Sequence, residues 1–323
     1  MSGKKRAMLA LTSVLAFFFL LGLTAAEREV LPRAAGLVAP VASNIRAAAV
    51  VTRITPTATL SPTPEPTPTL ARREFQDTTN PKLAPTTFLP GDGAQLSGEL
   101  VYKGRRLDVY FGSNTFSAEQ VAELGVKAEH ALSYIQRRFD VELSQRVSVG
   151  VYNKSLAPYT GTRGIAYTWG QANVRIYYRP GEDMHNALVI LSHELGHALQ
   201  AQAYGSEAQS RADTILLEGL ATWISGEYWL SLSDAGSFQA RARELYQAGY
   251  QGNLAALGRQ QNADVAYEMW AGFVDYLASN YGWDKFNLLY VSGRGRAPGS
   301  ADYLGVYGKP FAELAEEFQA TLK

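Results

Sequence analysis

The chain has 323 residues, 46% hydrophobic and 19% charged, which is enough for one sizeable globular core. Its 30 Lys and Arg balance 30 Asp and Glu, so no net field draws it toward nucleic acid, and that partner class is not expected. It has no Cys, which removes disulfides, thiolate metal sites and cysteine nucleophiles together; any metal would be held by His, Asp or Glu.

The first residues, MSGKKRAMLALTSVLAFFFLLGLTAAERE, set Lys4, Lys5 and Arg6 ahead of an uncharged, mostly apolar run from Ala7 to Ala26. A run of about 20 such residues spans the hydrocarbon core of a bilayer as a helix, whereas cleaved signals usually carry apolar regions of about 7 to 15. Thr24, Ala25 and Ala26 are small enough for a cleavage site, so residues 1–26 read as a signal anchor or a signal peptide. In both cases the basic flank stays inside and the rest of the chain crosses the membrane. The expected location is the cell membrane, with one pass and an extracytoplasmic domain, or secretion.

Residues 27–97 read as a disordered, Thr/Pro-rich stalk. In ITPTATLSPTPEPTPTLARRE the prolines fix φ and remove backbone donors, which favours an extended spacer without a core.

Residues 98–323 form the expected folded domain. GELVYKGRRLDVYFG alternates as a strand or hairpin with Lys103-Gly104 at its turn. The next segment carries Val121, Leu124, Ala128, Leu132 and Ile135 at helical spacing behind Ser117 as N-cap. RVSVGVY and NVRIYY read as strands. GIAYTWG, between them, reads as an edge strand facing a ligand or as a plain turn, since Gly allows close approach of another backbone. Helices are expected near 184–204, 213–226, 234–249, 264–281 and 310–322. Strands first and helices afterward define an α+β fold with a small mixed N-terminal sheet. YVSGRGRAPGSADYLG lacks the context of a phosphate cradle and reads as a loop.

The segment ALVILSHELGHALQAQAY places His193 and His197 four apart, so on a helix they project from one face. Leu188, Leu191, Leu195 and Leu199 would dock the opposite face on the core and leave the histidines toward a cleft. Glu194 falls about 60° from His197 around the helix, where a carboxylate reaches a water without being a ligand. This is the H-E-x-x-H pattern of a zinc site. A helix that merely carries two hydrogen-bonded histidines is the alternative.

A catalytic zinc site usually needs a third protein ligand. A metzincin would place a histidine six residues after His197, but Ala203 stands there. The downstream carboxylates are Glu207, Asp213, Glu218 and Glu227. Glu207 lies in a polar, turn-like stretch, and Asp213 reads as the cap of the helix in DTILLEGLATWISG. Glu218 lies inside that apolar helix, where a carboxylate needs a partner, and it is the favoured third ligand. His185 and His130 read as solvated.

HELGH followed by LLEGLATW resembles the gluzincin metallopeptidases, in particular bacterial peptidase MA-like domains, over about Ser148 to Tyr290. The resemblance implies a zincin-like fold, Zn²⁺ bound by His193, His197 and Glu218, Glu194 as general base, and a sheet whose edge strand pairs with an extended peptide. It also implies a Tyr or His that hydrogen-bonds the oxyanion. Tyr267 and Tyr276 are the candidates, and Tyr267 is chosen for its separation from Glu218, though either tyrosine is equally an ordinary packing residue. Thermolysin-like members carry Asp four residues after the ligand Glu; here that residue is Thr222. The expected function is a zinc peptidase acting on peptides or proteins outside the cytoplasm, leaning to endopeptidase. A catalytically silent zinc-containing binding or structural module of the same fold is the alternative.

Overall fold

In a computed structural model of the chain, the described residues are Leu96 and 98–323 apart from 113–115, 159–161, 170–171, 180 and 261–262. The expected signal segment and all of the stalk except Leu96 lie outside them. Among the described residues, no helix is long and apolar enough to cross a membrane.

Two strands, β1 (Glu99–Lys103) and β2 (Leu107–Phe111), form an antiparallel hairpin with a register shift between Leu100 and Tyr102. Its turn is held from outside: the buried Glu129 carboxylate accepts from the Arg106 and Leu107 backbone N–H groups at 2.8 Å each. Glu129 comes from α1 (Ala118–Phe139), which starts at a Ser117/Gln120 capping box and ends at Asp140 in the left-handed region. The helix carries the chain over to β3 (Val147–Asn153), parallel to β2. Two more strands follow, β4 (Gly164–Tyr167) and β5 (Asn173–Tyr178). The sheet order is β1-β2-β3-β5-β4, with β3 and β5 parallel and β4 antiparallel to β5 at the edge.

Period-two alternation sends Val147, Val149, Val151, Val174, Ile176 and Tyr178 into the main core shared with the helices. Leu96, Tyr152 and Tyr177 form a small second core.

The remainder is helical: α2 (Met184–Tyr204), α3 (Ser206–Arg211), α4 (Thr214–Ser225), α5 (Glu227–Leu230), α6 (Phe238–Gln247), α7 (Leu254–Gln260), α8 (Ala263–Tyr281), α9 (Trp283–Val291), α10 (Tyr303–Tyr307) and α11 (Phe311–Ala320). This is the expected α+β arrangement of a small mixed sheet and a mostly helical remainder. The helix expected from 234 starts at Phe238, after Asp234 takes positive φ and Ser237 caps. The loop reading of Tyr290 to Gly305 holds only for its middle: α9 takes in Tyr290 and Val291, and α10 begins at Tyr303.

The expected division of α2 into a core face and a cleft face is too simple. Every residue from Ala187 to Gln200 is buried, the histidines along with the leucine stripe. The sheet, α1 and α4 all pack on α2, so it is a central helix buried on all sides. Two glycines set its surroundings. A Cβ on Gly196 would lie 3.1 Å from the Ala221 carbonyl oxygen, and one on Gly219 would lie 2.7 Å from that of Trp270. Glycine at these positions lets α4 approach α2 on one side and α8 on the other.

Candidate metal centre

That close approach brings Glu218 of α4 over the histidine pair of α2. Its Oε2 lies 3.3 Å from His193 Nε2 and 3.4 Å from His197 Nε2. One donor atom from each of the three residues fits within 4.8 Å of the others, and this group could hold a metal ion. Two donors bonded at about 2.0–2.1 Å to a tetrahedral ion are about 3.3–3.4 Å apart, so both Glu218 contacts have the spacing of atoms sharing one metal. They are long for charge-assisted hydrogen bonds, which close to about 2.7–2.9 Å. The donor set of two imidazoles and a carboxylate therefore fits a metal better than it fits a simple ion pair.

Each histidine is oriented through its other nitrogen. His193 Nδ1 lies 3.3 Å from Thr222 Oγ1, and His197 Nδ1 lies 3.1 Å from Gln200 Oε1. Thr222, the departure from the thermolysin-like pattern, thus occupies the orienting position with a neutral hydroxyl. Burial holds the His193 pKa down despite its contact with Glu218. Burial works the same way on His197, but Glu218, Glu194 and Gln200 outweigh it and the pKa rises. Burial opposes the charge on Glu218, yet the two histidines hold its carboxyl well below the usual range.

Glu194 stands beside the cluster and is not one of its three members. Its side chain lies against the edge strand: a Cβ on Gly164 would fall 2.3 Å from Glu194 Oε1. The close approach expected at this glycine is thus made by the Glu194 side chain. Burial pushes its pKa up to about 8, against the opposing pull of His197. A bound cation acts in the opposite sense and favours the charged form.

Tyr267 of α8 also reaches the centre. Its ring stacks on His193 with centroids 5.4 Å apart and planes 6° from parallel. Burial first, then the Glu218 and Glu194 charges, raises its pKa well above the usual value. Tyr276 lies elsewhere, with its hydroxyl 3.3 Å from Glu317 Oε2.

The other sequence candidates are accounted for by ordinary contacts. Asp213 is the buried cap of α4, accepting from Ile215 N–H at 2.9 Å and the Tyr303 hydroxyl at 3.0 Å. Glu207 is exposed and faces Arg211, and Glu227 is exposed. His185 is exposed at the start of α2 with Nε2 2.7 Å from Ser231 Oγ, and His130 is exposed on α1. Gln200, Gln209, Tyr290 and Trp229 surround the centre without having been singled out by sequence. Gln200 was within reach, since it follows His197 by three residues on the same helix. Gln209 carries no local signal.

The chain matches no model of a known protein family, and no curated protein matches it.

Proposed function

We propose that this protein is a zinc metallopeptidase of gluzincin type acting on peptides or proteins outside the cytoplasm. The observation that carries the reading is the convergence of His193, His197 and Glu218 at metal-sharing distances, with Glu194 buried beside them and excluded from the cluster. A closed structural zinc site would use a fourth protein ligand, and among the described residues no fourth His, Asp or Glu joins this group.

When bound, zinc supplies a Lewis acid that lowers the pKa of a water toward about 7 and polarises a carbonyl. The remaining steps belong to the chain. Glu194, packed against β4 at Gly164, accepts a proton from the attacking water and returns it to the leaving amine nitrogen. Tyr267, anchored by its stacking on His193, offers a hydroxyl to the oxygen on which negative charge develops. β4 borders Glu194 and is an end strand of the sheet among the described residues, so an extended peptide can pair with its backbone while lying across the cluster. An extended pairing of this kind needs no free terminus, which favours an endopeptidase.

The Ala7–Ala26 run behind Lys4, Lys5 and Arg6 supports a location on the outer side of a membrane or beyond it.

The test compares the full chain with Glu194→Gln. Both should carry about one zinc per chain and melt together. Cleavage of a mixed peptide library should fall on the order of 10²- to 10⁴-fold in the variant. Equal activity sinks the base assignment. A zinc-loaded wild type that cleaves nothing makes the protein a silent binding module.

A further inference from the structure

The Oε1 atom of Gln200 is where two donors and a ring nitrogen of His197 meet. His197 Nδ1 lies 3.1 Å away, the Tyr290 hydroxyl 3.1 Å and Gln209 Nε2 3.5 Å. On the other side of the same amide, Nε2 donates to the Leu217 carbonyl at 2.8 Å. This fixes the orientation of the amide. Turning it over would aim an N–H₂ group at the donors and an oxygen at the Leu217 carbonyl. Gln209 is fixed by the same reasoning: its Nε2 donates to the His197 carbonyl at 2.7 Å, and its Oε1 accepts from Thr168 Oγ1 at 2.5 Å. Both glutamines are buried, Gln200 at 0% exposure and Gln209 at 4%.

An amide oxygen can only accept, so the nitrogen of His197 facing it carries the hydrogen. The other nitrogen, Nε2, is then the one presented toward Glu218. We infer that Gln200 is the positioning residue for the ligand His197, braced by Gln209, and that this pair of neutral amides does the work usually done by a carboxylate on a metal-bound histidine. The chain from Thr168 through Gln209 to Gln200 ties the end of β4 to the histidine ring. With Thr222 on His193, the orienting partners of both histidines are uncharged. The negative charge next to the histidines then comes from Glu218 and Glu194, and a bound cation would be more electrophilic than with carboxylate-backed histidines.

This rests on the zinc reading, and its test uses metal binding instead of catalysis. Zinc affinity of the full chain is measured by chelator competition, together with the melting temperature of the metal-free protein, for wild type, Gln200→Met and Gln200→Glu. Gln200→Met removes both functions of the amide and should weaken zinc about 10- to 100-fold. Gln200→Glu keeps the acceptor for Nδ1–H but loses the donor to Leu217 and buries a charge. It should lower the metal-free melting temperature yet bind zinc as tightly as wild type or tighter. A purely structural glutamine would move both readouts the same way. Zinc affinity that falls along with the melting temperature in Gln200→Glu overturns the inference, and that variant decides alone should Gln200→Met not fold. Unchanged affinity in Gln200→Met also overturns it while leaving the metal site standing. A wild-type chain that binds no zinc removes the metal reading itself, and this inference with it.

Discussion

Gly219 packs directly on the backbone of Trp270: a Cβ there would lie 2.7 Å from the Trp270 carbonyl oxygen and 2.8 Å from its carbonyl carbon. The contact joins α4 to α8 one residue after Glu218 and three residues after Tyr267. A single close crossing thus sets the helix that carries Glu218 against the helix that carries Tyr267. The glycine directly after Glu218 makes room for the neighbouring helix.

Gly219→Ala tests this. In an open helix the change would help by about 1 kcal/mol, because alanine is the better helix former. Here both obstructing atoms are backbone, so the helices must separate, and overpacking of this kind costs about 1–3 kcal/mol. The expected result is a lower urea midpoint with an unchanged slope, and weaker zinc binding as Glu218 moves with its helix. A stabilised variant with full zinc affinity would show that the crossing is not tight.

Gly164→Ala probes the other side of the centre. The added methyl would fall 2.3 Å from Glu194 Oε1 and 2.6 Å from its Cγ, so the carboxyl must leave its place on β4. Glu194 is outside the His193, His197 and Glu218 group, and zinc content should be retained. A displacement of about 1 Å in a reacting group costs on the order of 10²-fold in rate, so peptide cleavage should fall by about that much. Loss of zinc instead would mean that Glu194 helps to hold the metal.

The sequence made some of this legible and hid the rest for physical reasons. The hairpin and α1 follow from local patterns: alternation with a turn at Lys103-Gly104, and a helical stripe behind a capping serine. The pair of histidines and Glu194 follow from the 3.6-residue period alone. Burial of α2 on every side does not, because a stripe of leucines says which face is most apolar and nothing about what covers the other face. Thr222 was visible as a departure, but its contact with His193 depends on the crossing of α2 and α4 that Gly196 permits. In α9, Phe286, Leu289 and Tyr290 are buried while Leu288 is 61% exposed and Val291 43%, so apolar residues on both faces blur its period.

Asp264, in the first turn of α8, gives a pH dependence of stability whose sign is set by its surroundings. Its carboxyl is pushed from 3.8 up to about 7, first by burial and then by Glu268, against the pull of Arg163 and Arg241. Its Oδ1 is buried with no hydrogen-bond partner among the described residues. Arg163 is engaged with Glu182 at 3.0 Å and Arg241 with Glu268 at 2.8 Å, so neither is free to neutralise it. Between the unfolded value of 3.8 and the folded value of about 7, the native state holds the proton more tightly than the unfolded chain. Stability contributed by this group is thus fully present below that window and is lost as pH rises through it. About three units at about 1.36 kcal/mol each give a loss on the order of 4 kcal/mol by pH 8. Asp264→Asn keeps the shape and removes the titration. Relative to wild type, its urea-unfolding free energy should climb steadily from about pH 4 to pH 7 and then level off, with the variant the more stable protein at pH 8. A difference between the two proteins that stays constant across that range would show that Asp264 is ionised in the folded state throughout.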